Sequence, residues 1–193
     1  MDDALNPRRG TMLTGHFQRA ARALGGTYHF DEAQTEARFY VPFGPSVVFA
    51  NRFQVGTLIA ADPADMPFSE RYFLGGSTSV RGWGRFQISP LDSNGFPIGG
   101  RSMMEWSSEV RFPIRGNISG VAFLDAGNVS LGSREFPLSG LRYAAGPGLR
   151  YLTPIGAIRA DLGYQLNRIP GLVINGTPEH RFWRLHFSIG QSF

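Results

Sequence analysis

Few residues of this sequence could carry chemistry, and they do not combine into a catalytic or metal-binding set. The four histidines show no metal-ligand spacing with carboxylates, and cysteine is absent. No Gly-x-Ser-x-Gly nucleophile elbow occurs, and Gly75-Gly76 lacks the following Lys-Ser or Lys-Thr of a phosphate-binding loop. We therefore expect a protein that is not an enzyme and that binds no metal and no cofactor.

The side chain with the most specific binding chemistry is Arg81, in the run Val80-Arg81-Gly82-Trp83. A guanidinium can grip a carboxylate through two N–H groups and can stack on an aromatic ring. Gly82 would let the backbone turn tightly beside it. If a loop carries Arg81 into a protein interior, acidic partners are required, because an unpaired buried charge is costly. The alternative interpretation of this run is an ordinary surface loop.

Composition favours a chain of many strands. The 193 residues include 25 Gly and 16 Phe, as expected for many turns and for aromatic rings at a membrane interface. No stretch approaches the roughly 20 apolar residues that a membrane-spanning helix needs. The 19 basic and 15 acidic residues are dispersed, so a net charge of +4 does not indicate a nucleic-acid partner.

The alternation of apolar and polar residues predicts the β-strands that must position Arg81. The last segment places five apolar residues on one face: Trp183, Leu185, Phe187, Ile189 and Phe193. Strands are predicted near 11–20, 29–42, 46–60, 101–114, 118–129, 141–153, 156–168 and 181–193, with no helix. One face is charged and the other is rich in aromatic residues, which favours a membrane barrel with water inside over a soluble β-sandwich or barrel.

One connection is far longer than the others. From about residue 61 to residue 100 the chain shows no clean alternation. Connections of this length in compact domains are usually functional or disordered. Val80-Arg81-Gly82-Trp83 lies near the middle of this segment, so the loop is the predicted functional element.

The loop run, preceded by Gly75-Gly76, resembles the Val-Arg-Gly-aromatic signature of the BamA/TamA superfamily of outer-membrane assembly factors. In that superfamily the sixth extracellular loop carries the signature and folds back into the barrel lumen. Five other segments are similar to family segments in the same order: 6–10, 108–113, 122–127, 153–159 and 187–193. Any one match is weak, whereas the ordered set is specific.

The resemblance implies partners for the loop arginine. An acidic residue on the next strand, and an aromatic residue and an aspartate on the one after, correspond here to Glu109, Phe123 and Asp125. The alternation agrees, because Glu109 falls on the charged face of its strand and Phe123 shares a face with Asp125. The resemblance also implies a C-terminal strand signal, which corresponds to Phe187, Ile189, Gly190 and Phe193.

The implied fold is all-β: about eight antiparallel transmembrane strands over 1–193, forming the C-terminal half of a sixteen-stranded barrel without POTRA modules. The implied function is assembly or insertion of outer-membrane proteins in the bacterial outer membrane. The expected partners are outer-membrane lipid, unfolded outer-membrane proteins, and assembly-complex lipoproteins or a second chain that completes the barrel. A two-partner-type secretion pore and a passive small barrel are the alternatives, and an outer-membrane enzyme is the least favoured.

The strand number departs from the family pattern. An eight-stranded barrel is just filled by its own side chains, so a forty-residue loop does not also fit inside it. We therefore expect that this chain does not close on itself around its loop. Either the loop is expelled, the sheet stays open, or two chains join into a sixteen-stranded ring.

Overall fold

The computed structural model describes residues 1–3, 6–21, 23, 25–62, 66–136, 138–154, 156–190 and 193. Across these residues, eight long strands form one antiparallel sheet, each hydrogen-bonded to the next in sequence. The sheet strands are β1 (Gly10–Ala20), β2 (Phe30–Phe43), β3 (Val47–Ile59), β4 (Ser102–Arg115), β5 (Ile118–Ser130), β6 (Arg142–Thr153), β7 (Gly156–Gln165) and β10 (Trp183–Ile189). A short hairpin, β8 (Val173–Ile174) and β9 (Thr177–Pro178), lies between β7 and β10.

The two faces of the sheet differ in chemistry. We call the face against which residues 66–100 pack the inner face, and its opposite the outer face. Cross-strand partners share a face, as in the pairs Glu109↔Phe123 and Ser107↔Asp125 between β4 and β5. The inner face buries charged side chains, whereas the outer face exposes large apolar ones, including Trp106, Phe112, Tyr164, Trp183 and Phe187. The predicted all-β antiparallel fold and the polarity of its faces are confirmed.

The sheet is a partial barrel, because its two edge strands do not pair with each other. In the described residues, β1 pairs only with β2, and β10 pairs only with β7. Unpaired edges present a row of N–H and C=O groups that can bind another strand. The expectation that this chain does not close around its loop agrees with the open sheet.

Packing between the loop and the sheet forms the main apolar core. Trp83, Ile88 and Val80 of the loop are almost fully buried, and they belong to a cluster with sheet residues such as Leu58. A smaller cluster at the opposite end of the sheet joins Tyr40, Val48, Ala50 and Phe193. The apolar core therefore lies between the inner face and the folded-back loop.

Several boundaries differ from the sequence-based prediction. The strand predicted to end near 168 stops at Gln165, because residues 166–182 form a connection with its own small hairpin. Within the long loop, the described residues Phe68–Glu70 form a short 3-10 turn. Residues 63–65 of the long loop, and Ile155, Gln191 and Ser192 of the matched segments, lie outside the described residues. In the part of the chain that is described, no helix is both long and apolar enough to cross a membrane.

Candidate functional site

The loop narrows to a tip that lies deep on the inner face. Isolated bridges join Tyr72 with Gly100 and Leu74 with Ile88, so the two arms of the loop run side by side. The Gly76 N–H donates to the Trp83 carbonyl at 3.1 Å and closes the tip. Residues 77–82 are thereby presented as a compact turn to the sheet.

Arg81 is the centre of the site. Its side chain is 1% exposed and forms a fork with Asp125, with Nε–Oδ2 at 2.7 Å and Nη2–Oδ1 at 2.8 Å. Nη1 contacts Glu109 Oε1 at 2.5 Å, and the guanidinium carbon lies 3.6 Å from the centre of the Phe123 ring. The structure therefore brings the loop arginine together with all three residues that the family resemblance implies.

The Arg81 backbone is held by the same carboxylate. Its N–H donates to Asp125 Oδ2 at 3.0 Å, and Nη2 also donates to Ser107 Oγ at 3.2 Å. Ser107 Oγ in turn donates to Asp125 Oδ1 at 2.5 Å. Because main chain and side chain share one acceptor, the direction of the tip and the position of the guanidinium are coupled.

Further charged residues extend this arrangement into a buried network. Arg150 Nη1 lies 2.6 Å from Asp161 Oδ1, which is also 3.8 Å from Arg81 Nη1. Glu109 contacts Arg111 at 2.8 Å and Arg150 at 3.4 Å. Within these ion pairs three guanidinium groups meet three carboxylates, and the buried Arg159 adds a fourth guanidinium that donates to Ser188 and to the Ser77 carbonyl. Pairing matters here, because buried charges are tolerated only when paired and hydrogen-bonded.

Sequence reasoning did not assign Ser107, Asp161 or Arg150 to the site. The alternation of β4 and β7 puts Ser107 and Asp161 on the polar faces of their strands, so the sequence did contain a signal for them. It did not say which of many inner-face polar residues would lie opposite the loop tip. That choice depends on sheet curvature and on the depth of the loop.

Gly82 lets the tip approach β7 and β10 at backbone distance. Its φ is +85°, a left-handed conformation that residues with a side chain rarely adopt. Its N–H donates to His186 Nε2 at 3.1 Å, and its carbonyl accepts from Gln165 Nε2 at 2.9 Å. His186 is thus a partner of the loop, a role that its place on the polar face of the last strand did not reveal.

Gly163 of β7 supplies the space for this approach. A Cβ added there would lie 2.6 Å from the Gly82 Cα and 2.8 Å from the Arg81 carbonyl carbon. Both atoms belong to backbone, which cannot yield as a flexible side chain can. We expect Gly163→Ala to reduce the free energy of unfolding by about 1–3 kcal/mol through overpacking.

A matched control for this prediction is Gly15→Ala. Gly15 is also a strand glycine, but a Cβ added there meets no atom within 4 Å. Equilibrium unfolding in detergent should separate the two variants, with little loss for Gly15→Ala. Equal stability of Gly163→Ala and the parent would show that the loop tip does not contact β7 as described.

Further hydrogen bonds connect the loop to several strands of the sheet. The Tyr72 hydroxyl donates to Glu32 of β2 at 2.9 Å, and Arg52 of β3 donates to the Thr78 carbonyl at 3.1 Å. Arg159 of β7 donates to the Ser77 carbonyl at 2.8 Å. When the contacts of Arg81 and Gly82 are included, the loop is hydrogen-bonded to six strands: β2, β3, β4, β5, β7 and β10.

A second ion pair lies beside the loop tip. Arg52 forms an ion pair with Glu105 of β4, and Ser79 Oγ donates to the same carboxylate at 2.8 Å. Both charged side chains are almost fully buried. This pair anchors the tip on the β3–β4 side, whereas Arg81 anchors it on the β5 side.

Glu179 lies in the connection between β9 and β10 and links the loop to the edge strand β10. It accepts from Gln87 of the loop at 3.2 Å and from Arg184 of β10 at 2.6 Å. Hydrogen bonds from the Arg181 side chain, opposed by partial burial, lower the pKa of Glu179 to about 2. The carboxylate is therefore ionised at neutral pH and holds these contacts as a charged acceptor.

The four residues of the predicted C-terminal strand signal do not share one environment. Phe187 and Ile189 are exposed on the outer face, as their alternation predicts. Gly190 has a φ of +97°, and its N–H donates to the Ala157 carbonyl at 2.7 Å. The strand ends at Ile189, so Phe193 does not continue the alternation.

The placement of Phe193 on the outer face was wrong. Phe193 is 5% exposed and packs with Tyr40, Val48 and Ala50. The guanidinium carbons of Arg111 and Arg52 lie 5.3 and 5.6 Å from its ring centre, on the inner face. The positive φ at Gly190 marks the point where the regular strand geometry is lost.

Arginine stays protonated at any physiological pH, so Arg81 supplies a permanent charge that can hold the loop against the carboxylates of the sheet. Over the residues that the structure describes, no group of three or more His, Cys, Asp or Glu could hold a metal ion. The geometry is that of a buried ionic clamp between a loop and a transmembrane sheet.

Comparisons with known proteins identify the family of this chain. A model of the Omp85 superfamily domain matches residues 1–193. The outer membrane protein assembly factor BamA of Nitratidesulfovibrio vulgaris is 28% identical over 196 residues, covering 100% of this chain and 24% of that protein. The Mus musculus sorting and assembly machinery component 50 homolog is 28% identical over 157 residues, covering 76% of this chain and 31% of that protein.

A solved structure has the same fold. The crystal structure of BamA from Haemophilus ducreyi lacking POTRA domains 1-3 superposes with a TM-score of 0.75 and 19% identity, over 97% of this chain and 40% of that chain. The chain therefore spans roughly a quarter to a third of the length of the two curated relatives. The BamA relatives place it in the bacterial outer membrane. With its full length matched by the family model, the chain belongs to the Omp85 superfamily.

Proposed function

We propose that this chain is the loop-bearing part of a barrel that assembles or inserts other β-barrel proteins in the outer membrane. The observation that carries the proposal is the buried clamp of Arg81 with Glu109 and Asp125, which fixes a long loop inside a membrane sheet. The named relatives are assembly factors, which supports the same function.

The proposed activity needs no covalent chemistry and is not enzymatic. An unpaired strand edge offers its N–H and C=O groups to an incoming strand, a process called β-augmentation. The β10 edge is unpaired in the described residues, and its outer residues Leu185, Phe187 and Ile189 would meet lipid. A client strand that pairs there satisfies its backbone before it enters the bilayer core, where unsatisfied groups cost several kcal/mol.

The partners in this proposal follow from the same chemistry. Unfolded outer-membrane proteins are the clients, and outer-membrane lipid covers the exposed apolar outer face. Lipoproteins of an assembly complex would bind at the membrane surface. The buried clamp braces the sheet while the edge exchanges partners, since it joins the loop to β4 and β5, well away from either edge strand.

Reconstitution into lipid vesicles tests the function. An unfolded eight-stranded outer-membrane protein is diluted from urea onto vesicles with or without the chain, and its folding is followed by the gel mobility of unheated samples. We expect folding about tenfold faster with the chain, equivalent to roughly 1.4 kcal/mol off the barrier. Arg81→Ala should lose the acceleration, whereas Arg85→Ala, which changes an exposed loop arginine, should keep it.

Two results would contradict assembly activity. Equal folding rates on vesicles with and without the properly folded chain would exclude catalysis of insertion by this part of the protein. Vesicle leakage without faster folding would favour the passive barrel or secretion pore instead.

A further inference from the structure

The inner side of β10 is linked to the loop at three places. Its inner-facing residues are all polar: Arg184, His186 and Ser188. At one end Arg184 pairs with Glu179, which also accepts a hydrogen bond from Gln87 of the loop. At the other end Arg159 of β7 donates to Ser188 Oγ at 2.8 Å and to the Ser77 carbonyl of the loop at 2.8 Å. Between these two flanking links, His186 contacts the loop tip directly.

The contact of His186 depends on the protonation state of its imidazole ring. The Gly82 N–H donates to His186 Nε2 at 3.1 Å. Because a backbone N–H can only donate, Nε2 carries no proton, and the proton of the neutral ring lies on Nδ1. A protonated imidazole has an N–H at both nitrogens and no acceptor. The hydrogen bond between Gly82 and β10 therefore exists only while His186 is neutral.

A second partner for His186 lies on the neighbouring strand. Asp161 of β7 is directly opposite His186 in the register, and side chains in such positions have Cβ atoms about 4.5–5.5 Å apart. Asp161 Oδ1 contacts Arg150, whereas Oδ2 is buried and has no hydrogen-bond partner in the part of the chain that the structure describes. A protonated imidazole that turns toward Asp161 can donate to Oδ2, which is an atom that is costly to leave unpaired.

The charges around His186 allow both states. The charged side chains near it come from each element packed around it: Arg81 of the loop, Arg184 of β10 itself, Arg159 and Asp161 of β7, and Asp125 of β5. The two carboxylates favour a protonated ring and the three guanidinium groups oppose it. Two of those guanidinium groups are already paired, Arg81 with Asp125 and Arg184 with Glu179, so their repulsion of an imidazolium is reduced.

Of the three links between β10 and the loop, the one at His186 responds to pH. His186 is half-buried and lines a cleft of about 940 Å³ between the loop and β10, so water reaches its ring. Free histidine has a pKa of about 6.5 and changes its charge between pH 8 and pH 5. The flanking links stay as they are, because arginine remains protonated and the pKa of Glu179 is lowered to about 2, mainly by hydrogen bonds from Arg181.

We propose that His186 is a pH-sensitive positioning residue with two alternative partners. When neutral, it accepts from Gly82 and fixes the loop tip against β10. When protonated, it turns to Asp161 and leaves the tip free of that strand, while the Arg81 clamp still holds the loop to β4 and β5. This inference concerns the coupling between the loop and the last strand, so it goes beyond the proposed function and does not require assembly activity.

Amide hydrogen exchange in detergent, read by mass spectrometry, tests the proposal. The folded chain is compared with folded His186→Gln at the same pH, which cancels the intrinsic pH dependence of exchange. The glutamine oxygen can accept from Gly82 at every pH. We expect equal exchange of the tip peptide at pH 8, and about fivefold faster exchange of the parent at pH 5, the factor that a hydrogen bond worth roughly 1 kcal/mol represents. Peptides from β4 and β5 should not differ, because the Arg81 clamp persists.

His186→Leu is the opposite variant, since leucine offers no acceptor. Its tip should exchange at the fast rate already at pH 8, and the rate relative to His186→Gln should not change at pH 5. The proposal is overturned if the parent and His186→Gln exchange alike at pH 5. It is equally overturned if His186→Leu protects the tip as well as the parent does at pH 8.

Nitrogen NMR of the chain labelled at its four histidines reads the ring directly, with the His186 signals identified by their absence from His186→Gln. At pH 8 we expect the proton on Nδ1 and a bare Nε2, and at pH 5 a proton on both nitrogens. In Asp161→Asn the change should move to lower pH, because the protonated ring loses its carboxylate partner. A His186 ring that carries its proton on Nε2 at pH 8, or that stays neutral at pH 5 in the folded parent, would contradict the proposal.

Discussion

Arg81→Ala is expected to lower the free energy of unfolding by about 3–5 kcal/mol, the range found when one partner of a buried ion pair is removed. The reason is that Asp125 would stay buried without the guanidinium that pairs with it, whereas Glu109 would keep Arg111 and Arg150, and Asp161 would keep Arg150. Denaturant unfolding in detergent micelles measures this. Of the three tryptophans, Trp83 is the buried one, 1% exposed and two residues from Arg81, so the fluorescence change on its exposure reports release of the loop tip.

Three companion variants make the result specific. Arg85→Ala removes an exposed loop arginine that stacks on Phe86 at 4.6 Å, and should cost less than about 1 kcal/mol. Arg81→Lys keeps the charge but loses the fork, and should give an intermediate loss. Asp125→Ala should cost much less in the Arg81→Ala background than in the parent. Additive losses for Arg81 and Asp125 would mean that they do not act as a pair.

Phe17→Arg is expected to reduce stability in a bilayer by roughly 2–4 kcal/mol, with the largest value if the residue lies near the midplane. Phe17 is 66% exposed on the outer face of β1, so the substitution would place a charge against lipid hydrocarbon. Folding yield and unfolding in vesicles, read from the mobility of unheated samples on gels, give the measurement.

His16→Arg is the matched control on the same strand. His16 pairs with Gln34 and lies on the inner, polar side, where Gln34 bonds Glu32 and Gln54. The additional charge faces polar groups there, and we expect at most a small loss. If both substitutions cost the same, the outer face of β1 does not contact lipid.

Alternation in the sequence was sufficient for most of the fold. All eight sheet strands lie where the period-two pattern predicts them, because a strand between water and lipid must alternate along its whole length. The pattern failed only where that constraint ends. Residues 166–182 form a connection outside the alternating sheet, and Gly190, directly after β10, has a positive φ that a regular strand does not contain.

Only part of the candidate site could be predicted from the sequence. Arg81 was identifiable from its loop, and Glu109, Phe123 and Asp125 from the family resemblance together with parity. Asp161 of β7 and Arg150 of β6 extend the ion-pair network, but nothing in the sequence relates either residue to Arg81. Only the folded position of the loop decides which inner-face carboxylates it meets.

By itself, the sequence determined the strands, the apolar outer face and the charged inner face, since these follow from local periodicity. Tertiary structure alone decided how deep the loop sits, which residues compensate Arg81, and that Phe193 turns inward between Arg52 and Arg111. These features depend on backbone approaches such as Gly82 against Gly163, which are set by the curvature of the whole sheet. The physical reason is separation along the sequence. Alternation is a pattern of adjacent residues, whereas the ion pairs of Arg81 form only when side chains from distant strands come together in space.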